Sequence, residues 1–597
     1  MMKFINSLIL VILVVIGMSC DILNLNPSDQ FSEKNVWNDP DLIEAYINDI
    51  YLSMGHGQHE ILLASLSDET HFTHGYGVPV IVESKESPGD LGAFGRDDLN
   101  YFVWGNVYSG IKQVNDFFEH IKGTDIEDQE ALDELKGQAY FLRAYLYHNL
   151  LRMYGGVPII TDVATLDEQD SDELLVQRNS FGETANFIVN QADSAAQFLP
   201  LEQTGNDLGR ASKGAALALK SRVLLYAASD LYHQNPSGND FTGYTGSQDR
   251  QQMWRDAKNA AQEVMDLGVY SLFRPNPAGP EEASQNYYEL FTTDHNSESI
   301  MERKFLDTRD DGYNPGLMNL PNGYHNYGGN TPIQALIDDY QMLDGSDFSW
   351  DDPDKAKAPY ENRDPRLNGT ILHDGSPWQE RPKDIKKYDK NNKIQTISKI
   401  KLPNGNVVPG VDTRNSPNED WNGTYTGYYL KKYLRDDVNH GTSTKQQGIW
   451  YYFRYTEVLL NYTEASIELK EYADARQALN KIRTRAGMPT YSSSVTGEEL
   501  MEEYRNERRV EMAIEGQRFF DLRRWMIAQD VMNENVKRIV ITAEATDRAD
   551  RNTYQNYTYE VEEIGPGSRS WEDKMYFQPI PKDEMNRNKN LEQNPGY

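Results

Sequence analysis

Leu135, Ala139, Leu142, Leu146, Leu150 and Met153 recur every three or four residues, and the run stops at Gly155-Gly156 ahead of Pro158. That spacing puts one continuous apolar stripe on a long α-helix with a sharp C-terminal stop. The pattern repeats along the chain. Pro40 stands at the first position of a helix that Asp39 can cap, with Leu42, Ile43, Tyr46, Ile47 and Ile50 on one face. Trp104 to Ile121 follows the same period, which assigns Trp104 to the core. Ser180 opens another helix, Ser212 opens an alanine-rich one suited to close helix–helix approach, and Trp254 to Leu267 is the next. Thr331-Pro332-Ile333-Gln334 reads as a capping box that starts a helix carrying Leu336, Ile337 and Tyr340. Tyr451 to Leu469 and Tyr472 to Ala486 form a helix pair around a tight turn at Lys470-Glu471. A second capping box at Thr496 opens a long charged helix. The pattern predicts a mostly α fold, with an irregular segment from Asp344 to about Gln447 in which Lys399 to Val408 forms short strands.

The 597 residues carry a formal charge of −33. That balance excludes a nucleic-acid footprint and argues, more weakly, against polyanionic ligands. Cys20 is the only cysteine, so neither a disulfide framework nor a multi-cysteine zinc site is available. It follows a basic start at Lys3, an apolar run from Leu8 to Gly17, and Ser19. This is the layout of a bacterial lipoprotein signal, with Gly17 standing where leucine is usual. The expectation is a signal peptide at residues 1–19, lipidation at Cys20 and membrane attachment by lipid alone.

No Walker loop, nucleophile elbow, HExxH or dinucleotide fingerprint occurs. His56 and His59, and His71 and His74, have His-x-x-His spacing, but their glycine-rich setting suits loop hydrogen bonding better than metal ligation. Asp351, Asp352 and Asp354 lack the spacing of a calcium loop. No catalytic group, cofactor or metal is expected.

One ordered set of motifs is more specific. Tyr140-Phe141-Leu142-Arg143-Ala144-Tyr145 leads into Tyr154-Gly155-Gly156-Val157-Pro158. Arg210-Ala211-Ser212-Lys213-Gly214 follows, and then Arg454-Tyr455-Thr456-Glu457 running to Asn461-Tyr462-Thr463-Glu464-Ala465. Arg483-Thr484-Arg485-Ala486-Gly487, Glu507-Arg508-Arg509, Glu515-Gly516-Gln517-Arg518, Asp521-Leu522-Arg523-Arg524-Trp525 and the ending Asn594-Pro595-Gly596-Tyr597 complete it. After a lipoprotein signal, this series resembles the SusD/RagB family of Bacteroidetes outer-membrane lipoproteins over the whole mature chain; Thr463 departs from the usual alanine. The resemblance implies a tetratricopeptide-like scaffold of helix hairpins beneath a loop-rich half, divided here as residues 20–320 and 321–597 of one intimate unit. It implies a cell-surface protein of the outer membrane that captures a glycan and delivers it to a SusC-like TonB-dependent transporter. RagB-like peptide capture is the alternative, and a surface glycosidase a more distant one.

The signature charges read as structural. Glu511, Glu515 and Arg518 interrupt an apolar helical stripe at spacings where carboxylates and guanidinium groups pair, and Arg483, Arg485, Glu457 and Glu464 read the same way. The candidate ligand residues are loop aromatics, since tyrosines outnumber phenylalanines 37 to 20 and a Tyr ring offers an apolar face with a polar tip. Tyr313, Tyr324 and Tyr327, flanked by Asn322, His325 and Asn326, are expected to stand out as a platform, with Tyr76 beside them. The family resemblance adds the early loop with His71, Phe72, Phe94 and Arg96. Trp350, Trp378 and Trp421 lie in the irregular segment as further candidates.

Overall fold

A computed structural model describes residues 37–124, 126–163, 175–308, 313–440 and 446–597; Cys20 and the signal segment lie outside them. Helices dominate. The long ones are α1 (Pro40–Tyr51), α2 (Trp104–His120), α3 (Gln129–Tyr154), α4 (Phe181–Phe198), α5 (Lys213–Ala228), α6 (Arg250–Asp266), α7 (Pro280–Leu290), α8 (Tyr455–Glu468), α9 (Tyr472–Arg485) and α10 (Gly497–Glu511). Their ends follow the local chemistry. The Asp39 carboxylate accepts the Asp41 amide at 3.0 Å, and Ser180 and Glu183 form a full capping box. α3 ends where Gly155 takes φ +79; a Cβ there would sit 2.1 Å from the Phe241 carbonyl, so the stop needs glycine.

Helices α3 to α6 and α8 pack side by side as the expected hairpin scaffold. The α8–α9 turn is closed by Lys470 and Glu471 amides bonded to Ile467 and Ser466 carbonyls. Ala475 and Ala478 are buried there and let the pair approach closely. The main core runs from Ile43 to Leu591 and includes Trp104, as its helical position predicts. A second core, with Leu336, Ile400, Tyr429 and Ile541, lies under the loop-rich half.

Strands are few. β1 (Thr70–Phe72) pairs antiparallel with β3 (Asn330–Pro332), and β2 (Ser299–Phe305) with β6 (Gly448–Arg454). β4 (Lys399–Lys401) and β5 (Val407–Val408) form the expected short hairpin. They extend a ribbon of β7 (Lys537–Ala545) and β8 (Tyr554–Glu563) into a four-stranded sheet, order β8-β7-β4-β5. Two local expectations fail. Thr331 and Pro332 form no capping box: they lie in β3, where the Thr331 hydroxyl donates to the His71 carbonyl at 3.2 Å, and the helix begins only at Gln334. Thr496 does precede α10, but its side chain makes no cap hydrogen bond.

The signature charges are buried and paired. Glu511 accepts from Arg366, Arg454 and Arg485, Glu457 from Arg222, and Arg483 donates to Glu507 at 2.9 Å. Arg454 also reaches Glu298 and Glu515, and Glu515 accepts Lys432. Removing one member of such a group would strand a charge in the interior, so these residues fix helix packing and are not open to a ligand.

Candidate ligand-binding surface

Three loops meet at one end of the β1–β3 pair. The first, Thr73–Gly77, leaves β1. Asp68, just upstream, accepts Arg518 Nε and Nη2 at 2.8 and 2.9 Å and also Arg509. Arg569 holds the Thr70 carbonyl at 3.2 Å. The signature arginines thus clamp the strand that delivers this loop. Tyr76 is carried at its tip with φ +34, between Gly75 and Gly77 at +83 and +86. A tyrosine in this region costs about 1–3 kcal/mol, a strain that clusters at functional sites.

The second loop precedes β3 and is zipped to the first. The Thr73 amide and hydroxyl donate to the Gly329 and Gly328 carbonyls at 2.8 and 2.6 Å. His74 Nε2 lies 2.9 Å from the Tyr327 carbonyl; a carbonyl only accepts, so Nε2 carries the proton. Burial, followed by the Arg414 charge, holds His74 below the ordinary histidine range, outweighing the Tyr327 hydrogen bond and Glu419, so the ring is neutral at pH 7.

The third loop, Arg414–Tyr425, presses on the second: a Cβ on Gly328, whose φ is +52, would stand 2.4 Å from the Asn422 carbonyl. Arg414 ties this loop internally by donating to the Trp421 carbonyl, and its guanidinium lies 5.5 Å from the Trp421 ring and 4.4 Å from Tyr425.

The outcome is a row of rings. His74 stacks between Tyr76, at 6.0 Å and 29°, and Trp421, at 6.1 Å and 27°. Arg96 lies over the Tyr76 ring, 4.8 Å from its centroid. Trp421 is 61% exposed, Tyr76 43% and Tyr327 39%, unusual values for such large rings gathered at one place.

The expected platform is therefore only half correct. Tyr76, Tyr327 and Trp421 are exposed, and His325 is open to solvent with Nε2 3.3 Å from Asp384. Tyr313 and Tyr324 are not. Tyr313 is 1% exposed and stacked on Phe305 at 3.8 Å. Tyr324 is buried in the second core, its hydroxyl donating to the Gln379 carbonyl at 2.8 Å and its ring 4.3 Å beneath the Arg381 guanidinium. Asn322 and Asn326 are buried too. They are spent on the Thr413, Glu419 and His440 carbonyls, so they brace the loops and do not meet solvent.

Phe94 is core. Trp350 donates to Asp338 at 3.1 Å, and Trp378 packs against the second core. Sequence reasoning missed Arg414, Tyr425 and the role of His74. The one available signal was the pairing of an arginine with loop aromatics seven and eleven residues on in a segment without helical period.

His56 and His59 stack on each other at 3.7 Å, and burial, above all, lowers both. Among the described residues no group of three or more metal-ligating side chains could hold an ion. Asp352 caps the turn Pro353–Lys357, its carboxylate accepting the Asp354 amide at 3.0 Å. No helix of the described residues is long and apolar enough to cross a membrane.

Comparison with known proteins agrees with this architecture. Residues 297–597 match the model of the SusD family, and residues 25–225 match one described as starch-binding, associating with outer membrane. SusD-like protein P25 of Formosa agariphila is 22% identical over 449 residues, covering 72% of this chain and 71% of that one. A SusD-like protein of Bacteroides fragilis superposes with a TM-score of 0.72 at 26% identity, over 95% of this chain and 99% of its own. A SusD-like carbohydrate-binding protein of the same species superposes with a TM-score of 0.69 at 23% identity, over 93% of this chain and all of its own.

Proposed function

Because the chain belongs to the SusD family, we propose that it is a glycan-binding lipoprotein of the outer membrane, and that its ligand lies on the row Tyr76–His74–Trp421 with Tyr327 beside it. The observation that carries this reading is the exposure of three large rings, set in one surface by three mutually bonded loops. A pyranose presents an apolar C–H face that stacks on such rings, while its hydroxyls reach the polar rim. The starch-binding description of the matching model and the carbohydrate-binding relative favour a sugar over a peptide. Attachment through Cys20, display at the cell surface, one intimate unit formed from residues 20–320 and 321–597, and handover to a SusC-like transporter belong to the same reading. In this reading the protein acts by binding, without catalysis; the signature carboxylates are locked to arginines and are not free to act as an acid–base pair.

The test is affinity electrophoresis and calorimetry on a polysaccharide panel, with peptide mixtures as controls and reducing-end release as a measure of hydrolysis. Trp421→Ala and Tyr76→Ala should each lower affinity for the bound glycan by roughly tenfold or more, the loss of about 1–3 kcal/mol of ring burial. Melting should barely change, because both rings are exposed. Unchanged affinity in both variants would remove the ligand from this surface.

A further inference from the structure

We propose that the glycan is anionic, bearing carboxylate or sulfate groups that meet Arg96 and Arg414 at the two ends of the ring row; this rests on the glycan reading above. Several buried arginines elsewhere in the protein keep carboxylates beside them. Arg366, Arg454 and Arg485 each lie within 3.0 Å of a carboxylate oxygen, as the interior requires of a charge. Arg414 differs. Among the described residues it has no ion pair. Its single hydrogen bond goes to the Trp421 carbonyl, although a guanidinium carries five donors. Among the described residues Arg96 has one ion-pair partner, Asp98 at 3.9 Å, and its side chain is 43% exposed. That Asp98 carboxylate is already engaged, accepting the Glu60 amide at 3.0 Å.

Both guanidinium groups lie against aromatic rings of the platform. Stacking uses the face of the group and leaves edge donors able to grip a carboxylate or sulfate in the forked geometry that suits planar oxyanions. The nearby acids keep their charge but make no ion pair with Arg414 among the described residues. Both Glu419 oxygens lie 3.2 Å from the Asn422 amide, and Asp384 faces His325. His74, stacked on Tyr76 and Trp421, is neutral and adds no charge of its own. In a chain of charge −33, Arg414, with no ion pair among the described residues, and Arg96, with a long contact to Asp98, set two guanidinium groups on one exposed aromatic surface. Local donors of this kind outweigh the weaker argument, drawn from overall charge, against polyanionic ligands.

The experiment uses two matched pairs of polymers: a polyuronate with its carboxyl-reduced form, and a sulfated galactan with its desulfated form. Calorimetry at low and high salt is run on the wild type, Arg96→Gln, Arg414→Gln, the double variant and Trp421→Ala, with melting curves for each. The wild type should bind the anionic member of at least one pair about tenfold or more tightly, and the margin should shrink at high salt. The pair that shows it decides between carboxylate and sulfate. Arg96→Gln and the double variant should lose that margin step by step with melting temperature unchanged. Because Arg414 also ties the Trp421 loop, the margin is read as the ratio of anionic to neutral affinity within each variant. Equal affinity within both pairs, a margin that survives in the double variant, or no binding to any of the four polymers would overturn the proposal. Trp421→Ala separates it from the reading on which it rests. If that variant binds less of every polymer while the pairs are not distinguished, the site stands and only its anionic preference falls. If it binds like wild type, the site itself is refuted.

Discussion

Glu464 gives the sharpest test of the view that the signature charges are structural. It sits on α8, buried, with four donors on two oxygens. Oε1 accepts Arg524 Nη1 at 2.6 Å and Trp525 Nε1 at 2.7 Å; Oε2 accepts Arg524 Nη2 at 2.8 Å and the Tyr504 hydroxyl at 2.6 Å. Burial alone would raise its pKa, but Arg524, Arg508 and the Tyr504 hydrogen bond outweigh it and hold the group at about 2. Against an ordinary value near 4.5, that depression corresponds to about 3 kcal/mol of stability. Breaking a buried pair by removing one partner typically costs about 3–5 kcal/mol, so two independent routes agree. The sign follows from the depression. The contribution is complete above pH 4.5 and is lost as pH falls toward 2.

Glu464→Gln preserves the shape but removes the charge and turns an N–H₂ toward groups that already donate. Arg524 would keep one carboxylate, Asp521, 2.7 Å from its Nε, and the Ser229 hydroxyl at 3.2 Å. Urea unfolding followed by tryptophan fluorescence should show a deficit of about 3 kcal/mol at pH 7 that narrows toward pH 3. A deficit below about 1 kcal/mol at pH 7, the range of an exposed pair, or one of equal size at both pH values, would refute the reasoning.

Other outcomes follow from the same geometry. Tyr324→Ala should destabilise by about 3–5 kcal/mol, as for a buried aromatic, and lower the melting temperature, whereas Trp421→Ala should not. Glu69 is buried and held up at about 7, by burial first, with the Ile514 amide opposing and Asp68 adding to the rise. A raised carboxylate contributes stability below its unfolded value that is lost as pH climbs through 7, so Glu69→Gln should gain on the wild type in melting temperature between pH 4 and pH 8. Gly328→Ala must place a Cβ 2.4 Å from the Asn422 carbonyl at φ +52. It should displace the Trp421 loop and lower glycan affinity by about tenfold or more in calorimetry, with little change in unfolding.

The helical scaffold was legible because its signal is periodic: α3, α5 and the α8–α9 hairpin each show apolar or small residues at helical spacing, with glycine and proline after α3 and α9 and a serine cap before α5. The structural role of Glu464, Glu511 and Arg518 was legible for the same reason, since charges on an apolar stripe must be paired once buried. The ribbon β7–β8 was not anticipated, although Ile539, Ile541, Ala543 and Ala545 alternate to one buried face. Thr331 misled because capping chemistry is local, while the pairing of β3 with Thr70–Phe72 draws on residues some 260 positions away.

The platform failed as a sequence reading for a reason that residues 324–327 make plain. Tyr324 and Tyr327 share a glycine-rich, polar loop, and composition does not distinguish them. His325 takes φ +62 at the end of a short 3-10 turn, and around it the chain alternates: Tyr324 and Asn326 turn inward, His325 and Tyr327 outward. Which ring is buried depends on Arg381, which covers Tyr324 and also pairs with Asp389 and Asp412. Those contacts are far apart in sequence and leave no local trace.

The same contacts bind signature and site into one mechanism. Arg509 and Arg518 hold Asp68, two residues before β1; β1 registers against β3; the loops beyond both strands are zipped from Thr73 to Gly329. On the other side Arg381 grips Asp412, two residues before Arg414 and the loop that presents Trp421. Apolar contacts stabilise without fixing direction, but a guanidinium fork on a carboxylate sets orientation as well as distance. A surface built wholly from loops has no regular element of its own to align three rings. Buried ion pairs at the roots of the first and third loops, with the β1–β3 register holding the second between them, supply that alignment, and so residues away from the exposed rings determine whether the row exists.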